Sequence, residues 1–240
     1  WQAPEPHTWG WAWWLLALLC AACTAALAWP ARVLRQLDAQ GAVATATTAD
    51  GAVPKHARVP LRALAPALAG YTLFGVGYIG YMTFVIALLK EQGLGTTGIT
   101  WFYTLLGLAV VASARVWAGL LERSKGGGAL ALLNALLGVA TVLPALTSAW
   151  PVVLASGLLF GGVFLSLVAS TTALVRHNLP PTQWAAGISA FTIVFAVGQI
   201  VGPTVVGAIA DAAGGLARGL VFSAVALWIG AVLAWRQRPL

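Results

Sequence analysis

Seven long apolar stretches dominate the pattern of hydrophobic and polar positions along the chain. The first is followed by a polar, basic segment, and the other six follow one another over short connections: Gly10–Trp29, Pro66–Leu89, Gly98–Leu121, Gly127–Thr147, Trp150–Val175, Trp184–Ala210 and Leu216–Trp235. Each has about 20 residues or more, which at a rise of ~1.5 Å per residue crosses a ~30 Å hydrocarbon core. Because lipid satisfies no backbone hydrogen bonds, each stretch is expected to be a transmembrane helix. The pattern predicts an all-α membrane protein with one helix followed by a six-helix bundle.

The polar segment divides the chain into three parts. We predict a first transmembrane helix over residues 1–29, a linker over residues 30–65 and a six-helix bundle over residues 66–240. Residues 31–40 of the linker could continue as a short amphipathic helix, whereas residues 41–54 show no periodicity and predict disorder. The six later stretches form two triplets, and each triplet begins with a glycine-rich helix. Such a three-plus-three repeat is typical of transporters.

Composition and charge support a membrane location. The chain is 60% hydrophobic and only 8% charged, whereas a soluble domain has about 25% charged residues. The net charge of +7 could suggest a nucleic-acid partner, but the cations cluster in alternate connections. One side of the membrane receives Arg32, Arg35, Lys55, Arg58, Arg62, Arg123, Lys125, Arg176, Arg236 and Arg238, and the other receives Lys90 and Arg218. The positive-inside rule then predicts an external N-terminus and a cytoplasmic C-terminus in an inner (plasma) membrane, with lipid and no nucleic acid as partner.

The sixth stretch carries the sharpest motif. Gly198, Gly202 and Gly207 place small residues near one helix face, and Pro203 removes a backbone hydrogen bond and bends the helix. A smooth, bendable face suits a helix that slides during a conformational cycle. Static packing of small residues explains the same pattern equally well.

The motif also carries a family resemblance. The pattern G-Q-x-x-G-P-x-x-x-G-x-x-x-D over residues 198–211 resembles the eleventh helix of many members of the major facilitator superfamily. The segment Gly119–Gly127 resembles the cytoplasmic loop between that family's helices eight and nine, although Glu122 comes one position early and the glycines follow Lys125. The segment Gly75–Tyr81 is similar to a little-characterised bacterial branch. The resemblance covers helices six to twelve and the central linker.

The resemblance implies a secondary transporter that moves a small solute by alternating access. It implies a six-helix half-bundle of major facilitator type, completed by a missing N-terminal six-helix half, so the chain is expected to be a fragment. It also implies a gating role for Glu122 and Arg123, beside the conformational role of the glycines and proline in the sixth stretch. The second, third, fifth and sixth stretches would line the cavity between the halves. Their polar and aromatic members are Tyr71, Tyr78, Tyr81, Tyr103, Thr104, Ser166, Ser170, Thr171 and Gln199.

Gln199 is the strongest candidate for contact with the substrate, because an amide in the middle of a membrane must find hydrogen bonds. Its alternative role is an interhelical bond. The tyrosines could equally belong to the core or the membrane rim, and Thr171 could bond to its own helix.

Charged residues add one candidate and one restriction. Arg115 lies inside the third stretch, where an arginine is predicted to bind substrate or to form an ion pair in the gate, although its long side chain could reach the interface instead. No acid lies in the middle of a stretch, so a carboxylate proton relay cannot be built from this sequence. A cavity without embedded acids favours neutral or anionic solutes over cations.

Two other classes compete with a transporter. A non-transporting membrane scaffold and a seven-helix receptor both fit the number of helices, although a retinal site is excluded because the last helix has no lysine. No nucleophile, base and carboxylate combine into a catalytic set, and no residues cluster as metal ligands. We therefore expect no enzyme activity, no metal site and no cofactor.

Overall fold

The structure of the protein, a computed structural model, describes residues 8–46, 59–211 and 215–240. The chain forms two compact units, Trp1–Lys55 and His56–Leu240. In the first unit the structure describes one helix, α1 (Thr8–Ala46), and in the second it describes the helices α2 to α8.

Helix α1 continues well beyond the apolar stretch that begins it. Its apolar window, Trp13–Pro30, is long enough to cross a membrane, and the helix then passes through Pro30 and residues 31–40 to Ala46. The sequence predicts disorder from residue 41, and this prediction is wrong for residues 41–46, where alanine favours the helix. Residues 47–54 of that segment lie outside the described residues.

The described residues of the second unit form six long helices and one short one. The long helices are α2 (Ala65–Glu91), α3 (Thr96–Val116), α5 (Gly128–Leu146), α6 (Trp150–Asn178), α7 (Trp184–Asp211) and α8 (Gly215–Trp235), and the short one is α4 (Ala118–Arg123). A 3₁₀ turn, Pro181–Gln183, precedes α7. Proline stands in the first turn of both α2 and α6, where its missing N–H removes no helical bond. In the part of the chain that the structure describes, seven helices including α1 are long and apolar enough to cross a membrane, which confirms the predicted number of spans.

One predicted span is interrupted. The sequence predicts a continuous third helix over Gly98–Leu121, but α3 ends at Val116 and α4 starts at Ala118. The break falls at Trp117, whose indole Nε1 donates a hydrogen bond of 2.7 Å to the carbonyl of Gly162 in α6. The prediction is wrong here because this hydrogen bond to another helix holds Trp117 at the break, and hydropathy does not report such contacts.

The helices of the second unit pair in a symmetric pattern. The first triplet is α2, α3 and α5, and the second is α6, α7 and α8. Helix α2 packs mainly against α7 and α8, and α6 packs mainly against α3 and α5. The third helices, α5 and α8, also pack against each other. Exchanging the two triplets leaves this pattern unchanged, as expected of an internal repeat.

Helices α3 and α7 are the most exposed long helices of this unit. Only 17% of the apolar window in each is buried, compared with 56% in α2 and 44% in α6. Large apolar side chains such as Leu108, Val111, Ile193 and Ile200 cover their open faces. These two helices are the second members of their triplets.

Several loops are tied together at the end of the bundle where α2 begins. The amide of Gly127, just before α5, donates to the carbonyl of Gln237, just after α8, at 2.9 Å. The side-chain oxygen of Gln237 accepts from the amide of Ala67 at 3.4 Å. Asn178, at the end of α6, donates to the carbonyl of Lys125 at 2.7 Å. These contacts hold the ends of α2, α5, α6 and α8 as one group.

Candidate functional site

Three side chains from three helices meet at the middle of the bundle. Tyr78 is the central residue of the 27-residue helix α2, and Phe164 is the central residue of the 29-residue helix α6. Gln199 lies within two residues of the centre of the 28-residue helix α7. In a membrane these positions lie near the bilayer midplane, where transporters hold their substrates.

Gln199 and Tyr78 form the central polar pair. The Nε2 amide of Gln199 donates a hydrogen bond to the hydroxyl oxygen of Tyr78. Tyr78 is buried, whereas Gln199 is half-buried and keeps part of its amide accessible. Pro203 has no N–H and therefore cannot donate to the backbone carbonyl of Gln199, its usual partner four residues earlier. One helical turn thus carries both a polar side chain and a backbone acceptor without its ordinary donor.

Glycines bring α7 close enough to α2 for this bond. A Cβ added at Gly198 would lie 2.4 Å from the carbonyl oxygen of Thr72, and one added at Gly202 would lie 2.7 Å from that of Val76. Gly75 of α2 faces Gly198, and a Cβ added there would be 3.2 Å from the Cα of Gly198. Gly207 is different, because its nearest neighbour would be 3.9 Å from an added Cβ. Gly198 and Gly202 are therefore packed against the backbone of α2.

A stack of aromatic rings includes Tyr78 of the central polar pair. We call it the ring stack, and its members are Tyr71, Phe74 and Tyr78 of α2, Phe164 of α6 and Phe195 of α7. The six stacked pairs among these rings have centroids 4.9–5.4 Å apart and interplanar angles of 15–28°. Offset stacking of this kind stabilises each pair by about 0.5–1.5 kcal/mol beyond its buried area. Phe74 is fully buried, while Phe164 and Phe195 are half-buried at the edge.

Other predicted site residues have their hydrogen bonds within the bundle. Tyr81 is fully buried, and its hydroxyl lies 2.7 Å from the Oγ of Ser156, which donates to the carbonyl of Ala140. Ser170 is buried and donates to the carbonyl of Leu167 within α6. These two side chains contribute to the core, and neither contacts the central polar pair through the bonds described.

The remaining hydroxyls differ in what they face. Thr171 donates to Val168 in its own helix and is also within interaction range of the hydroxyl of Tyr71. Thr104 is exposed on α3 and donates to Thr100 one turn earlier. Tyr103, half-buried on the same helix, packs edge-on against the ring of Phe102 at 5.4 Å.

A further hydroxyl joins two helices. Ser166 is buried and donates at 2.9 Å to the carbonyl of Ser113 on α3. This bond lies close to the Trp117 break and crosses from α6 to α3.

The charged candidates lie away from the bundle centre. Arg115 is exposed in the last turn of α3, one residue before the helix ends. Glu122 and Arg123 are exposed on the short helix α4. Glu122 also lines a cavity of about 360 Å³ with Arg176, His177 and Trp184. The structure therefore does not bring Arg115 to the central polar pair.

Sequence reasoning did not identify the phenylalanines of the ring stack. Phe195 stands four residues before Gln199, and Phe191 stands four residues before Phe195. Phe160 and Phe164 are also four apart, so each set lies along one helix face. This spacing was the available signal, but a phenylalanine in an apolar stretch looks like any other lipid-compatible residue.

Within residues 59–211 and 215–240, no carboxylate or amine stands at the centre of the site. The charged residues of α2, α6 and α7 are Lys90, Glu91, Arg176 and Asp211, and all four lie within the terminal turns. The groups that can bind a solute at the midplane are thus an amide, hydroxyls and aromatic rings. Among the described residues, no three histidine, cysteine or acidic side chains are grouped to hold a metal ion.

Comparison with known proteins gives one match. The chain matches, over residues 3–235, the family model described as "Uncharacterised MFS-type transporter YbfB". No curated protein and no solved structure matches the chain.

Proposed function

Because the chain belongs to the family of YbfB-like MFS-type transporters, we propose that it moves a small solute across the membrane by alternating access. The protein is a multi-pass membrane transporter and not an enzyme. The proposed substrate site is the central polar pair, Gln199 and Tyr78, together with the accessible edge of the ring stack. Thr171, beside Tyr71, borders the same site.

The observation that carries this proposal is the hydrogen bond between Gln199 and Tyr78 at the centres of two long helices. Removing a polar pair from water to the midplane costs free energy. The presence of such a pair there therefore favours a role in binding. Pro203 supports the same role, because a bent helix that lacks one backbone bond can change its curvature more easily. We propose that Gly198 and Gly202, which pack against the backbone of α2, form the face along which α7 moves relative to α2, and that Gly207 lies outside this close contact.

We further propose that residues 66–240 are the C-terminal half of the transporter, that residues 1–29 end the other half and that residues 30–65 link the two. The exposed apolar faces of α3 and α7 support this proposal, because a second six-helix half would cover them. Tyr81 and Ser170 then serve the core of this half. For Glu122, Arg123 and Arg115 we propose contacts with the other half near the cytoplasmic surface.

The orientation follows from the distribution of cations, and we propose a cytoplasmic C-terminus in the inner membrane. In a variant with Cys20→Ala and Cys23→Ala, a single Gly95→Cys change between α2 and α3 should react with an impermeant maleimide only from outside sealed cells. Arg238→Cys should react only from the cytoplasmic side. Labelling of Gly95→Cys only from the cytoplasmic side and of Arg238→Cys only from outside would overturn the orientation.

Alternating access can be tested before the substrate is known. Thr104 is exposed near the centre of α3, and Thr104→Cys in the same background should react with an impermeant maleimide from either side of the membrane. Val225 is exposed at the centre of α8, and we expect Val225→Cys, facing lipid, to react from neither side. The intact gene product reconstituted in oriented vesicles is the sample. Reaction of Thr104→Cys from one side only would contradict alternating access and favour a scaffold.

A further inference from the structure

The ring stack has buried members and half-buried members. Phe74 is fully buried, and Tyr71 and Tyr78 are only 4% and 7% exposed. Phe164 and Phe195 are half-buried, so they present the accessible edge of the stack. Gln199 is half-buried one helical turn after Phe195. The half-buried groups are therefore two aromatic rings and one amide, which we call the open edge of the ring stack.

The geometry of the rings points to a flat partner. Phe164 and Phe195 make angles of 28° and 21° with Tyr78, so both rings are nearly parallel to the same central ring. A further planar ring can continue such an arrangement by offset stacking, whereas a saturated ring of the same size presents axial hydrogens and stacks poorly.

The polar groups at this edge can form hydrogen bonds with a solute but no ion pair. The Gln199 amide uses one N–H for Tyr78, which leaves its second N–H and its carbonyl oxygen for another partner. No acidic or basic side chain stands at the middle of α2, α6 or α7 to neutralise a charged group. A charged solute would lose hydration without gaining an ion pair at this edge.

We propose that the open edge of the ring stack binds a planar, aromatic, uncharged solute. The solute stacks on Phe164 and Phe195, and its polar edge exchanges hydrogen bonds with the amide of Gln199. This inference rests on the proposed transport function and names the class of substrate for that site.

A direct binding experiment tests the class. The intact gene product is placed in nanodiscs, saturable binding of tritiated 2-naphthol is measured, and binding to empty nanodiscs is subtracted. We expect unlabelled 2-naphthol to compete at least about tenfold better than decahydro-2-naphthol, which has the same carbon skeleton without the aromatic rings. The anion 2-naphthoate and the cation trimethyl-2-naphthylammonium should both compete more weakly than 2-naphthol.

Variants locate the binding to the ring stack. Phe164→Leu and Phe195→Leu should each raise the Kd for 2-naphthol by about three- to tenfold, since each removes one stacking face. Phe222→Leu, at a half-buried position on α8 outside the stack, is the matched control and should leave the Kd unchanged. Gln199→Leu should abolish the preference for 2-naphthol over 2-methylnaphthalene, which lacks the hydroxyl.

The outcomes separate the class from the transport function. Equal competition by decahydro-2-naphthol, or an equal loss in Phe222→Leu, would overturn the proposal of stacking. Stronger competition by either charged naphthalene would overturn the proposal of an uncharged solute. If Thr104→Cys still reacts from both sides in these cases, transport stands and only the substrate class falls.

Discussion

Two helix contacts occupy corresponding places in the two triplets, yet they are built differently. Each joins the first helix of one triplet to the second helix of the other. The α2–α7 contact has glycine on both helices, and Gly75 lies directly against Gly198. The α3–α6 contact has glycine only on α6, and Phe102 of α3 fills the space over Gly157. In the first contact glycines of both helices face each other, whereas in the second Gly157 faces the ring of Phe102 and Gly161 faces the backbone carbonyl of Leu106.

The facing glycines of α2 and α7 explain why the central polar pair lies in that contact. Because the backbones of α2 and α7 touch at their middles, the long side chains beside the glycines reach each other, and Gln199 meets Tyr78. In the α3–α6 contact the fully buried ring of Phe102 covers Gly157. The polar bonds of this contact, from Ser166 to Ser113 and from Trp117 to Gly162, join the C-terminal end of α3 to the middle of α6. Two related contacts can thus serve binding in one case and packing in the other.

The largest expected effect on stability comes from removing the Phe102 ring from the α3–α6 contact. Phe102→Ala should lower the free energy of unfolding by about 3 kcal/mol, the lower end of the range for buried phenylalanine, because lipid reduces the transfer contribution. Tyr103→Ala, at the half-buried neighbouring position, should cost clearly less. Thermal unfolding of the intact protein in detergent, followed by circular dichroism, measures both. Equal losses in the two variants would mean that Phe102 does not fill this contact.

Two matched glycine substitutions then separate packing from binding. An added Cβ would lie 2.4 Å from the Thr72 oxygen at Gly198 and 2.3 Å from the Leu106 oxygen at Gly161. Gly198→Ala and Gly161→Ala should therefore each cost about 1–3 kcal/mol of stability. Only Gly198→Ala should also weaken 2-naphthol binding, because it displaces Gln199 from Tyr78.

Neighbouring glycines supply the controls for that pair. Gly207→Ala would meet its nearest atom at 3.9 Å, and Gly162→Ala would meet none within 4 Å. Both should leave stability unchanged or raise it by up to about 1 kcal/mol, because alanine favours the helix. A loss of binding in Gly161→Ala as large as in Gly198→Ala would remove the functional distinction between the two contacts.

The smallest effect on stability concerns one hydrogen bond in each contact. Gln199→Ala and Ser166→Ala should each reduce the free energy of unfolding by about 0.6 kcal/mol, the average for a bond between membrane helices. Gln199→Ala should also weaken solute binding by about 1–3 kcal/mol, since a buried polar contact is lost. Ser166→Ala should leave affinity intact. Unchanged affinity in both variants would assign Gln199 to packing alone.

The helices were predictable from sequence because the membrane imposes the condition that defines them. A chain in lipid must satisfy its own backbone, so a long apolar stretch has almost no alternative to a helix. The end of α3 was not predictable, since it depends on a hydrogen bond between Trp117 and another helix. The extension of α1 was predictable only as far as residue 40, because the lack of periodicity after it indicated disorder, whereas the helix continues to Ala46.

The candidate site was predictable only where a residue contrasts with its surroundings. Gln199 stands out because it is an amide within an apolar stretch. Phe164 and Phe195 do not stand out, and their role depends on which helices are neighbours. Tyr81 is a residue type expected in a binding site, yet its hydroxyl is hydrogen-bonded to Ser156 in the core. Sequence therefore identified polar chemistry at the midplane, and the arrangement of rings required the pairing of α2, α6 and α7.

The contacts of Gln237 have a consequence for how this bundle assembles during synthesis. Gln237 accepts a bond from Ala67, 170 residues earlier, and another from Gly127, between α4 and α5. These contacts can form only after α8 has left the ribosome and entered the membrane. Helix α2 therefore lacks its main partner, α8, while the five helices α3 to α7 are synthesised. During that interval its glycine-lined face is open to chaperones, to proteases and to other unfinished chains.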